Sequence, residues 1–124
     1  MRGLTIDVVR FDRRSLAAAM ADSDLLVNAT SLGLKANDLL PVDPSAIHRR
    51  LAVFDLVYPA HAASNGAGRR APMTPLVQAA RRGGALAVDG LPMLVYQGAE
   101  SFRLWWLRRA PVEVMRRAIE QAVR

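Results

Sequence analysis

Apolar residues in this chain gather in short, nearly unbroken runs. Residues 24–29 read Asp-Leu-Leu-Val-Asn-Ala, residues 51–58 read Leu-Ala-Val-Phe-Asp-Leu-Val-Tyr, and residues 85–88 run apolar until Asp89-Gly90. Short apolar runs closed by polar turns predict strands buried on both faces. Thr5 to Val9 alternates weakly and predicts a further short strand. Helical stretches lie between. Ser15 to Ala21 is alanine-rich, with Ser15 placed as its N-cap. Thr74 caps a helix with Pro75 at its first position, and Gly83-Gly84 stops it after Arg82. Pro92 opens a helix to about Leu107, in which Trp105-Trp106 reads as core. Pro111 opens the last helix, with Val112, Met115, Ile119 and Ala122 on one face. Strands alternating with helices predict an α/β fold with a parallel sheet and right-handed crossovers. Pro59 to Pro72 is rich in small and breaker residues and predicts a mobile surface loop over 59–72.

Composition narrows the function classes. At 124 residues and 52% hydrophobic content, the chain is one domain or part of one, and too apolar to be disordered. It has no run of eighteen apolar residues, so no transmembrane helix is expected. Asp7 falls where a signal peptide would carry its apolar region, which favours a cytoplasmic protein. The absence of cysteine removes disulfides, thiolate metal sites and cysteine nucleophiles. His48 and His61 stand thirteen apart, a spacing that suits no metal site. The net charge of +6 is almost all arginine, and Lys35 is the single lysine. The arginines come as scattered pairs, several near predicted helix C-termini where cations favour the helix dipole. That pattern fits a solvated basic surface, which would also suit a phosphate-bearing cofactor. A small basic nucleic-acid-binding module is the alternative of another class, although no basic stripe interleaves with aromatics.

Candidate chemistry sits after the strands, because ligands of open parallel sheets bind outside the strands' carboxyl ends. The first run is followed by Asn28-Ala29-Thr30-Ser31-Leu32-Gly33, the second ends Asp55-Leu56-Val57-Tyr58, and the third leads into Gly90 through Ala99. Each residue has a plain structural alternative. Asn28 and Thr30 suit turn backbone, Tyr58 a half-buried aromatic, and Gln97 a helix-surface amide. Together, at three successive strand ends, they favour a shared ligand site. Met93 and Gln97 are four apart on one helix face. Gly90 before them lets the backbone approach a ligand closely. A flat apolar contact, a close backbone group and an amide suit a nicotinamide ring beside a hydroxylated substrate. Gly98 lies inside the same helix, where close packing is expected to offset its cost of roughly 1 kcal/mol.

These segments, in this order, resemble the shikimate dehydrogenase family. The resemblance rests on Asn28-Ala29-Thr30-Ser31 with Gly33, Asp55 to Tyr58, Thr74-Pro75-Leu76, Gly90-Leu91 through Gln97-Gly98-Ala99, and Phe102 with Trp105. It implies the C-terminal half of a Rossmann-type doubly wound parallel sheet with flanking helices. Residues 1–124 would be the C-terminal portion of an NADP-binding domain, with C-terminal helices over 92–123. It implies NADP-dependent interconversion of 3-dehydroshikimate and shikimate, a step towards chorismate and the aromatic amino acids. By motif match, Tyr58 and Gln97 would contact the substrate, Leu56, Gly90 and Met93 would line the nicotinamide, and Thr30 would lie near the cofactor.

The chain departs from the family in four places. An N-terminal substrate domain with a lysine–aspartate pair and a glycine-rich phosphate loop do not match any part of it. Leu34 replaces a frequent methionine, and residues 59–72 lengthen the link between the Tyr58 and Thr74 motifs. The matched stretch therefore holds no catalytic residue, and the chain alone is expected not to oxidise shikimate. A non-catalytic nucleotide- or substrate-binding remnant is the alternative within the fold. Half a doubly wound sheet leaves one strand edge open and helix faces bare, so a homo-oligomer, a poorly packed fragment, or dependence on a partner chain or a missing N-terminal part is expected.

Overall fold

The computed structural model describes residues 3–35, 37–58 and 73–122. Its elements follow the order α1 (Arg13–Ala21), β1 (Leu25–Asn28), a 3₁₀ turn (Pro44–Ala46), β2 (Ala52–Asp55), α2 (Pro75–Arg82), β3 (Leu86–Val88), α3 (Leu91–Trp106) and α4 (Val112–Ala122). The strands form one parallel sheet in the order β1-β2-β3. Leu26, Val53 and Ala87 share one cross-strand row, and Leu25, Ala52 and Leu86 share the next. The α/β class and the three parallel strands agree with the sequence reading. The expected mobile loop over 59–72 lies outside the described residues.

One face of the sheet carries the core. Met20, Val42, Ile47, Leu51, Val53, Leu76, Val77, Ala80, Ala85 and Ala87 form a single buried cluster. It lies between that face, α1, α2 and the segment leading into β2. α2 forms where its local signals say: Thr74 Oγ1 accepts from the Val77 N–H at 3.3 Å, and Pro75 takes a position without a helical donor. Its buried positions Leu76, Val77, Ala79 and Ala80 meet the core. Beyond Gly83, Gly84 turns the chain at φ +80°, a conformation that favours glycine.

The opposite face differs from the expectation of strands buried on both sides. Leu25, Val27, Leu86 and Val88 are all exposed there, because α1 and α2 both serve the core face. Thr5–Val9 forms no strand: residues 3–10 are exposed, in no helix or strand, and without a sheet partner among the described residues. Alternation suits a strand but does not supply its neighbour. α1 begins earlier than expected, with Asp12 rather than Ser15 as its N-cap, and Asp12 Oδ1 accepts from the Ser15 N–H at 2.8 Å.

α3 and α4 pack against each other away from the sheet core, with Arg116 donating to the Tyr96 hydroxyl at 3.4 Å. Val112, Met115 and Ile119 of α4 are half-buried as the helical spacing predicts, while Ala122 is exposed. Trp105 and Trp106 are exposed, not core. Apolar character buries a helix face only where another element meets it. Leu107 ends α3 in the left-handed region, at φ 51° and ψ 31°.

Candidate functional site

Parallel pairing brings all three strand C-termini to one edge. The register sets Asn28 directly opposite Asp55, and both side chains are buried. Buried polar groups need partners, and these find each other. Asn28 Nδ2 donates to Asp55 Oδ1 at 2.8 Å and to the Leu32 carbonyl at 3.2 Å. The Val57 N–H donates to the same Asp55 oxygen at 3.2 Å, and the Thr74 hydroxyl donates to Asp55 Oδ2 at 2.6 Å. One carboxyl group thus ties the loop after β1, the loop after β2 and the start of α2. On the other side of Asn28, Oδ1 accepts from the Thr30 N–H at 3.1 Å and the Thr30 hydroxyl at 2.7 Å. Thr30 Oγ1 in turn accepts from the Leu32 N–H at 3.1 Å.

A second joint links β2 to α3. The Gly90 N–H donates to the Val57 carbonyl at 3.0 Å. A Cβ at residue 90 would stand far inside van der Waals contact distance of the Leu56 carbonyl oxygen. Residue 90 must therefore be glycine for the two loops to touch. α3 starts from this joint: Asp89 Oδ1 accepts from the Leu91 N–H at 3.0 Å, and the Gly90 carbonyl takes the first helical bond, from Leu94, at 2.9 Å. Val95 and Ala99 are buried. Met93 is half-buried and Gln97 exposed one turn further on.

The structure thus brings Leu56 and Gly90 into contact and seats Met93 one helical turn from them. Thr30 stands exposed in the loop after β1, with its hydroxyl engaged in the turn. Tyr58 is exposed at the end of the β2 loop, and no hydrogen bond joins it to Gln97 among the described residues. Gly98 contradicts its expectation of close packing: nothing lies within 4 Å of a Cβ placed there. A cavity of about 540 Å³ lies elsewhere, between Phe11, Leu16, Leu39, Leu40 and Val42, and none of the six candidate residues lines it. No group of three metal-ligating side chains occurs among the described residues. None of their helices is long and apolar enough to cross a membrane.

Sequence reasoning assigned no role to Asp55 or Thr74 in holding the site. The available signal was a polar residue inside or closing each of two apolar runs, Asn28 and Asp55, and a threonine before a proline. A buried acid inside a strand requires donors, and the ends of neighbouring strands are the nearest source.

The family model described as Shikimate 5'-dehydrogenase C-terminal domain matches residues 90–123. A shikimate dehydrogenase (NADP(+)) of Methanopyrus kandleri is 38% identical over 124 residues, covering 98% of this chain and 39% of the relative. A quinate dehydrogenase of Corynebacterium glutamicum, solved in complex with NAD, superposes with a TM-score of 0.69 at 28% identity, over 87% of this chain and 34% of that one. The shikimate 5-dehydrogenase of Thermus thermophilus, solved with NADP(H) and shikimate, gives a TM-score of 0.67 at 29% identity, over 86% of this chain and 36% of that one. The chain spans well under half the length of the curated relatives it matches.

Proposed function

The chain belongs to the shikimate dehydrogenase family, and from that premise we propose that it forms the nicotinamide side of an NADP-dependent site reducing 3-dehydroshikimate to shikimate. The observation that carries this reading is the joint between Leu56 and Gly90, which fuses two strand-end loops and launches α3 beside them. Backbone at this joint and the Met93 thioether three residues further on suit contact with a flat nicotinamide ring. In this reading Leu56, Gly90 and Met93 line the nicotinamide, and Thr30 lies near the rest of the cofactor. Tyr58 and Gln97 present a hydroxyl and an amide to the polyhydroxylated substrate. NADPH, when bound, supplies a hydride to the ketone carbon. The proton for the resulting alkoxide would come from the family's lysine–aspartate pair, which matches no part of this chain, and none of these six residues is assigned that transfer. Their work is to bind and orient, which is the larger part of bringing donor and acceptor carbons into reacting distance. The protein works in the cytoplasm, where the pyridine nucleotide pool supplies its cofactor.

Saturation-transfer NMR with the purified chain and NADP+ tests this. The nicotinamide protons should receive more saturation than the adenine protons, and Met93→Ala should reduce the effect at the nicotinamide. Transfer confined to the adenine, or no transfer at all, would overturn the assignment. Binding without turnover is the expected behaviour of the 124-residue chain, and shikimate oxidation by it would contradict that part.

A further inference from the structure

We propose that Asp55 is a positioning residue for the cofactor: its carboxyl sets the plane of the Leu56–Val57 peptide, and through that plane the joint against which the nicotinamide lies. The inference rests on the assignment of Leu56, Gly90 and Met93 to that ring. The Val57 N–H and the Leu56 C=O belong to one planar trans peptide. They point in opposite directions, so fixing one fixes the other. Asp55 Oδ1 accepts from the N–H at 3.2 Å. The C=O on the far side is the group that stands against Gly90.

The flanking bonds are main-chain only. The Leu56 N–H donates to the Asn28 carbonyl at 3.0 Å, and the Val57 carbonyl accepts from the Gly90 N–H at 3.0 Å. Many residue types could make those two. The bond to Asp55 alone depends on a side chain, and that side chain is itself held. Asn28 Nδ2 reaches Oδ1 at 2.8 Å and the Thr74 hydroxyl reaches Oδ2 at 2.6 Å. Asp55 is 1% exposed, so solvent does not compete for either oxygen.

Without an acceptor at position 55, the Val57 N–H is buried and unpaired, which favours rotation of the peptide towards another partner. Rotation swings the Leu56 carbonyl off Gly90, breaks the bond between Gly90 and Val57, and frees the start of α3 to shift with Met93. A purely structural role would lower stability and leave the folded fraction binding as before. A positioning role changes which part of the cofactor the protein touches.

The ratio of nicotinamide to adenine saturation in transfer NMR with NADP+ separates the two, because it does not depend on the folded fraction. Asp55→Asn keeps Oδ1 as an acceptor and places an amide donor beside the Thr74 oxygen, so its ratio should stay within twofold of the unaltered chain's. Asp55→Leu fills the space without an acceptor and should lower the ratio at least threefold. Asp55→Ser makes the same turn more weakly, should fall between, and carries the test if Asp55→Leu fails to fold. Val77→Ala truncates a core side chain of α2 that takes part in none of these bonds. It should lower the melting temperature and leave the ratio unchanged. A ratio preserved in both Asp55→Leu and Asp55→Ser, or one that falls as far in Asp55→Asn or Val77→Ala, would overturn the proposal. No nicotinamide preference in the unaltered chain is the separate failure of the ring assignment, and it takes the proposal with it.

Discussion

The carbonyl oxygen of Leu56 occupies the space that a side chain on Gly90 would need. The constraint is backbone against backbone, so no rotamer change relieves it. Gly90→Ala should destabilise the chain by about 2 kcal/mol, in the range for overpacked positions. Gly98→Ala meets nothing within 4 Å and removes a helix-interior glycine. It should stabilise by up to about 1 kcal/mol. Urea denaturation of the two variants should give shifts of opposite sign.

Asp55 accepts from three donors contributed by Asn28, Val57 and Thr74. Asp55→Ala removes the acceptor of the buried Val57 and Thr74 donors and one of the two acceptors of the Asn28 amide, and should cost about 3 kcal/mol. Asp55→Asn keeps one carbonyl oxygen and should cost less, about 1 kcal/mol. Equal losses for the two variants would show that packing, not hydrogen bonding, holds this joint. Denaturant midpoints with unchanged m-values are the readout.

Leu107 closes α3 at φ 51°, where a side chain is strained. Its side chain is exposed, so little packing is lost on truncation. Leu107→Gly should raise stability by about 1 kcal/mol. A lower melting temperature for this variant would mean that the side chain makes a contact worth more than the strain.

Acid should weaken the chain through two helix starts. The Ser15 backbone N–H, helped by its hydroxyl, holds the Asp12 carboxyl below its usual 3.8. Ser45 does the same for Asp43, with a smaller contribution from Arg13. Both folded values lie below the unfolded ones. Their stabilisation is thus complete above the ordinary aspartate range and is lost as pH falls through the depressed values. Carboxyl-carbon NMR should show both groups titrating below the ordinary aspartate value. Asp12→Asn, which keeps the cap, should flatten the acid limb of the stability profile.

Much of this fold was legible because its signals are local. Thr74-Pro75 and Gly83-Gly84 bound α2 by capping chemistry alone, and the short apolar run into Asp89-Gly90 marks β3. What escaped depends on neighbours. Thr5–Val9 alternates as a strand does, yet it pairs with no strand among the described residues. Leu25, Val27, Leu86 and Val88 look like two-sided core, yet the helices present cover one side. Trp105 and Trp106 are apolar without being buried, for the same reason. Of the site, Gly90 reads from the sequence as letting a ligand approach the backbone, whereas the group that approaches it is the Leu56 carbonyl, from a neighbouring loop. The part of Asp55 depends on cross-strand register, which no single segment reveals.

The Asn28–Asp55–Thr74 network also bears on how the sequence can change. These residues lie 27 and 19 positions apart along the chain, yet each satisfies groups that the others leave buried. A replacement at any one alters what is tolerated at the other two, so paired changes should depart from the sum of single ones. Related sequences should therefore either keep this trio whole or replace it together, and a lone exchange at position 55 should be seen only beside a compensating one at 28 or 74.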